Sequence, residues 1–514
     1  MDHESNSKAE FLSLAEELRF YILSFLPCRD ILRCASVCKA LRHTYMSSSE
    51  LQYIVELSGQ RLLPVPDVDD HTPISERLQL LRDKAHAWFK VHLHSFETVS
   101  LSKEMRFAQI NVTDGHLYTW DVREDVAAII PILPKPSQQS VQRDRWQRTL
   151  SSIISVPHSV KLDVFMDLAQ NLIAVLYLVD EALYIDLGAL DGDGIHPQAA
   201  GRRLSLAMPP GSEDCSNYLW SVKMKCFGRH IALRWGSRLK VMWLQIWDWQ
   251  DSTTSNCFLN DDNNIYPNEF CFLGNNRFLV LADELNLYSI EDMSQMPQLL
   301  ARFSIPISLQ YTSLHPVNDN EYSSQPQMQI QQTVYISDPK HWLLHMTIHL
   351  GKSPVFVIST RVFHDLDELA VVDLKPIPWT RWGPSNTRIF ERTWASKVQL
   401  CGNRVFRAIP VDTLDSGPSG YRLHMMDFSP LAVTNRRGLG RVVKESSTTD
   451  ISELSGRPEE SLTTSLPYVE VVSDRVFDAC YLNDIWIDND RIYLAQMIQN
   501  FEGSYYSTLE VIGV

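Results

Sequence analysis

With 514 residues the chain is too long for one hydrophobic core, and its 44% hydrophobic and 21% charged residues are the composition of ordinary globular domains. A net charge of −15 and a pI near 5.5 argue against a nucleic acid or an anionic membrane as the main partner. Apolar runs such as 172–179 are much too short to span a bilayer, and nine cysteines at unpaired spacings read as reduced thiols, so a soluble protein of the cytoplasm and/or nucleus is expected.

Residues 1–10 are polar, unlike a signal peptide, and are expected to be disordered. Three short amphipathic helices are predicted next. Ser13 with Glu16 forms a capping box, and Leu14, Leu18, Tyr21, Ile22 and Phe25 then share one face. Pro27 ends that helix, because it lacks an N–H and forces Leu26 out of the α region. Asp30 is placed to cap a second helix, whose apolar stripe is Ile31, Cys34, Val37, Cys38, Leu41 and Tyr45. Ser47 with Glu50 starts a third, which runs to a stop at Ser58-Gly59. A unit this small buries little surface, so a partner is expected on physical grounds.

The order of residues within these helices resembles the F-box, a module that joins a protein to a ubiquitin ligase. The matching positions are Leu14, Glu17, Leu18, Ile22, Leu26-Pro27, Asp30-Ile31-Leu32, Val37-Cys38-Lys39 and Leu51. Ala15 stands where the family usually has Pro, and Leu41 where it often has Trp. The resemblance implies docking on the Skp adaptor and, through it, a cullin. Leu14, Leu18, Ile22, Leu26, Pro27, Ile31, Leu32 and Val37 would either face the adaptor or hold the docking helices together, and the sequence does not separate the two roles. The F-box-like module is assigned to residues 11–58, with a linker and connecting helix over 59–95. In that helix Thr72 caps, Pro73 takes the first position, and Leu78, Leu81, Ala85, Trp88 and Phe89 form the apolar face.

From residue 96 to 514 short apolar and β-branched runs alternate with Asn, Asp, Gly and Arg turns, which predicts an all-β domain. One element repeats as an acidic turn, a strand and a closing acid: 114–122, 179–187, 282–292 and 366–374, with the same strand end at Asp248 and Asp427. A second, a polar turn directly before an apolar strand, recurs in AQNLIAVLY, FGRHIALRW, GNNRFLVLA, CGNRVFRAI and DNDRIYLAQ. This rhythm is that of a β-propeller, and about seven degenerate blades fit the length. Only Trp120-Asp121 and Trp247-Asp248 keep the dipeptide of WD repeats, and stacked sandwiches are the alternative. Polar stretches near 134–145, 191–203, 317–332 and 435–465 read as insertions, the last as disordered.

Linear chemical motifs are weak. Asp191 and Asp193 lack the further ligands of a calcium loop, Gly351-Lys352-Ser353 lacks a Gly-rich cradle, and Cys28, Cys34 and Cys38 lack zinc spacing. No metal or cofactor is expected. The composite reading is a non-catalytic substrate receptor of an SCF-type cullin ubiquitin ligase, with a protein substrate held by the β domain. Two alternatives are a scaffold or regulatory interaction protein outside ubiquitin transfer, and a propeller enzyme with a helical accessory. Trp220, Trp235 and Trp382 are guesses for substrate contact, and Asn435, Arg436, Arg437, Arg441 and Lys444 form a small basic patch.

Overall fold

A computed structural model describes residues 11–513, apart from 66–71, 91–95, 101–108, 133–145, 207–221, 237–241, 256–268, 310–311, 317–334, 350–353, 370–374, 392–395, 415–416, 435–439, 478–480, 489–490, 500–504 and positions 114, 122, 155, 157, 181, 193, 252 and 308. Residues 1–10, Trp220, Asp193, Asn435, Arg436 and Arg437, and the insertions at 134–145 and 317–332, lie outside the described residues.

The helical module holds four helices rather than three: α1 (Glu16–Ser24), α2 (Cys28–Val37), α3 (Lys39–Ser47) and α4 (Ser49–Gln60). The expected second helix breaks at Cys38, whose extended backbone (φ −151°, ψ 165°) interrupts it without a Gly or Pro. The caps also shift. Ser13 closes a 3-10 turn, and α1 begins after Ala15 without a side-chain cap. Asp30 lies inside the first turn of α2, paired with Arg33, because Pro27 already fixes the helix start. Ser48, not Ser47, caps α4 by accepting from Leu51 N. That helix runs past Gly59 and ends where Arg61 turns left-handed (φ 60°). Leu23, Ile31, Leu51 and Val55 form the core of the module.

The β domain is a seven-bladed propeller. Blades 1 to 4 are four-stranded antiparallel sheets over Gln109–Thr149, Val160–Ser205, Lys223–Ser255 and Glu269–Phe303. Blade 5 spans Thr312–Phe390, and blade 6, with five strands, spans Lys397–Phe477. Blade 7 takes three strands from Tyr481–Gly513 and its outer one from Phe96–Ser100, with Phe96 opposite Ile512 and Ser100 opposite Thr508. Ring closure therefore joins the start of the β domain to its end.

The polar-turn motif marks the second strand in blades 2, 3, 4, 6 and 7. Gly228 and Gly402, both at φ 54°, sit in that turn, and a Cβ at Gly228 would lie 2.9 Å from Asn275 Oδ1. The closing acids bind these turns. Asp248 accepts from Arg229 and from Gln250 N, and Asp427 from Arg404 (3.2 Å) and Ser429 N (2.8 Å). In segment 366–374 the acidic turn is a 3-10 helix, Leu366–Leu369, and the strand expected after it lies outside the described residues.

Apolar layers fill the gaps between neighbouring blades, for example Leu176, Trp235 and Trp247 between blades 2 and 3. Trp235 and Trp382 belong to such layers, at 1% and 0% exposure, and cannot meet a substrate. The insertion expected as disordered is ordered over 440–465. Strand Arg441–Val443 extends blade 6, and a hairpin pairs Ser447–Asp450 with Ser461–Thr464. Its Ile451, Leu454 and Leu462 are buried beside blade 5, and β-branched Thr residues suit the two strands.

Candidate functional site

Helix α1 is apolar on two sides. Leu23 points into the module core and Phe20 packs against it. Leu18, Tyr21, Ile22 and Phe25, at i, i+3, i+4 and i+7, form the opposite strip and are exposed by 51%, 59%, 41% and 70%. The Tyr21 and Phe25 rings meet edge to face at 4.8 Å. Val37 in α2 and Met46 in α3 are also exposed, as is Pro27 in the turn. Soluble monomers rarely leave such a strip uncovered unless it meets a partner.

The eight residues singled out in the sequence thus divide. Leu18, Ile22, Pro27 and Val37 lie on the outside, Leu14, Leu26 and Leu32 are half-buried, and Ile31 is fully buried in the core. A charge at Ile31 would disrupt the module itself, so the outer strip is the proper place to test docking. Tyr21 and Phe25 were not among the eight, although their spacing with Leu18 and Ile22 was visible.

Polar contacts fasten the strip. The Ser47 hydroxyl donates to Glu16 Oε1 (3.0 Å) and His43 lies 3.3 Å from the same atom, tying the start of α1 to α3. Those bonds, that from Ser47 first, hold the Glu16 carboxyl below its usual range.

The module is seated on the propeller. Helix α5 (Ile74–Lys90) packs on α4, and Gln60 Nε2 donates to Leu81 O (3.4 Å). Its Trp88 is buried against Phe406 of blade 6 (centroids 5.2 Å apart) and under the Arg404 guanidinium. At the end of α4, Arg61 O accepts from Asp338 N (2.9 Å), and Arg61 Nη1 donates to His341 Nε2 (3.1 Å). Strand Leu62–Pro64 then pairs with Tyr335–Ser337, and Asn403 Nδ2 donates to Gln60 O (3.2 Å). A polar crevice of about 40 Å³ remains here, lined in part by Lys84, Tyr335, Asn403 and Asp427.

Residues 11–44, covering α1, α2 and most of α3, match the family model of the F-box domain. The chain carries an F-box. Its propeller is similar in architecture to several solved structures. The WD40 domain of SCAP from fission yeast is 9% identical, over 81% of this chain and 84% of that one, with a TM-score of 0.38. Drosophila Semaphorin 2a is 10% identical, over 81% and 75%, at 0.36. An uncharacterized protein from Listeria monocytogenes is 9% identical, over 77% and 92%, at 0.37. Values this low say nothing of function. Comparison with curated proteins finds no match. Among the described residues, no group of three or more His, Cys, Asp or Glu is arranged to hold a metal ion, and no helix is long and apolar enough to cross a membrane.

Proposed function

We propose that this F-box protein is a non-catalytic substrate receptor of an SCF-type cullin ubiquitin ligase. Its F-box would dock the Skp adaptor, and through it a cullin, while the propeller holds a protein substrate. The observation that carries the reading is the uncovered strip Leu18, Tyr21, Ile22 and Phe25 on a module too small to leave apolar surface idle. A receptor contributes proximity: a bound substrate is presented to the transferring enzyme at high effective concentration. Cytoplasmic and/or nuclear residence belongs to the same proposal.

The test uses the full chain, because Trp88 of α5 is buried in the propeller and a helical fragment would expose it. Co-expressed with the Skp adaptor, the wild-type chain is expected to co-elute with it. Ile22→Asp with Phe25→Asp is expected to abolish co-elution without changing the thermal melt, since both side chains already face water. Undiminished adaptor binding by that folded double variant would falsify the assignment.

A further inference from the structure

Blade 6 carries a basic strip on its face toward blade 5, midway along its long hairpin. Register defines it: Arg407 stands opposite His424 and Ile409 opposite Arg422, so the three basic side chains leave the same face of the sheet. The same hairpin begins at the F-box junction, where Asn403 bonds Gln60 and Arg404 pairs with Asp427. Arg422 lies five strand residues from Asp427, about 16 Å farther from the F-box.

Two guanidinium donors of this strip have no hydrogen-bond partner among the described residues. Arg407 lies 5.1 Å over the Phe390 ring and donates to Glu391 O (2.6 Å), yet its Nε is buried without a hydrogen-bond partner. The Nε of Arg422 is buried and unpartnered too. Burial pushes the Arg407 guanidinium below its usual range, only partly offset by Tyr468 and Glu470. Glu470 is itself shared between His424 (3.6 Å) and Arg441 (2.8 Å), whose bonds, that of His424 first, hold its carboxyl down to about 2 against the opposing effect of burial. Val472, opposite His424, adds a 40% exposed apolar surface beside the charges.

Buried guanidinium donors without acceptors are most readily satisfied by planar carboxylates, which match the arginine fork. In a chain of net charge −15 a long polyanion is repelled by the molecule as a whole, whereas a short acidic segment meets only the local field. We propose that the strip formed by Arg407, Arg422 and His424 binds an Asp- and Glu-rich segment of a partner protein. Under the receptor reading that segment belongs to the substrate. Binding at the strip is measured without the adaptor, so failure here and failure of the receptor reading are separate results.

Fluorescence anisotropy of the full chain with labelled hexaglutamate, hexaglutamine and an oligouridylate of similar length tests this. Hexaglutamate is expected to bind, to weaken as salt rises, and to lose about tenfold or more in affinity in Arg407→Gln with Arg422→Gln. Should the double variant misfold, Arg422→Gln alone decides, since it removes charge without breaking a hydrogen bond at Nε. The proposal is overturned if hexaglutamate binds no better than hexaglutamine, if the folded variant binds it equally well, or if the oligouridylate binds more tightly.

Discussion

Ile31 and Phe25 stand six positions apart and do opposite work: one is fully buried and the other is 70% exposed. Periodicity grouped Leu18, Tyr21, Ile22 and Phe25 correctly on one face. It could not say which way that face points, because α1 also carries Phe20 and Leu23 toward the core. Orientation depends on which stripe the other helices cover, a tertiary fact. Charge placement was equally hidden. Asp163, on the innermost strand of blade 2, is pushed up to about 6 by burial, against bonds from Val164 N and Met224 N of blade 3. The folded chain therefore holds this proton more tightly than the unfolded one, and stability falls as pH rises from about 4 to about 6. Asp163→Asn keeps an acceptor and removes the titration. Urea unfolding at both ends of that range should show the variant gaining on wild type by about 2–3 kcal/mol at the higher pH; an equal difference at both ends would refute the role of Asp163.

At the scale of elements, helices with clear breakers were legible and those without were not. Pro27 announces the end of α1. Cys38 announces nothing, and the division of α2 from α3 follows from packing rather than propensity. Strands were readable where an Asn, Gly or Arg turn precedes them. The acidic turn at 366–374 is a 3-10 helix over Leu366–Leu369, and the strand expected after it lies outside the described residues. The hairpin within 447–464 was missed because polar composition outweighed three spaced apolar residues. The junction of F-box and propeller was invisible, being built by pairs such as Arg61 and His341 across 280 positions. Arginine is a donor only, so His341 must offer a bare Nε2. Burial, then the charge of Arg61, lowers its pKa to about 4, below its ordinary 6.5. Its contribution to stability is full above pH 6.5 and is lost as pH falls toward 4. His341→Gln should accordingly lose less in urea midpoint than wild type between those values; a matching loss in both proteins would count against His341 as the cause.

For the whole molecule, the recurrence of turn and strand foretold about seven blades, and seven are present. The closure did not show, because the strand Phe96–Ser100 resembles any other and its partner Tyr505–Gly513 lies some four hundred residues away. A chain starting at residue 101 would leave blade 7 with a bare edge, and edges of this kind invite association. Such a chain is expected to elute as aggregate and lose its cooperative melt, while one starting at residue 72 stays monomeric; a folded, monomeric product from residue 101 would show that closure is dispensable. The same geometry sets an order of events at the ribosome. The F-box is complete after some sixty residues, but the ring must wait for its last strand, which at 5–20 residues per second arrives about 20–80 s after the first has emerged. For that interval the growing chain can already be held by an adaptor while it has no finished surface for anything else.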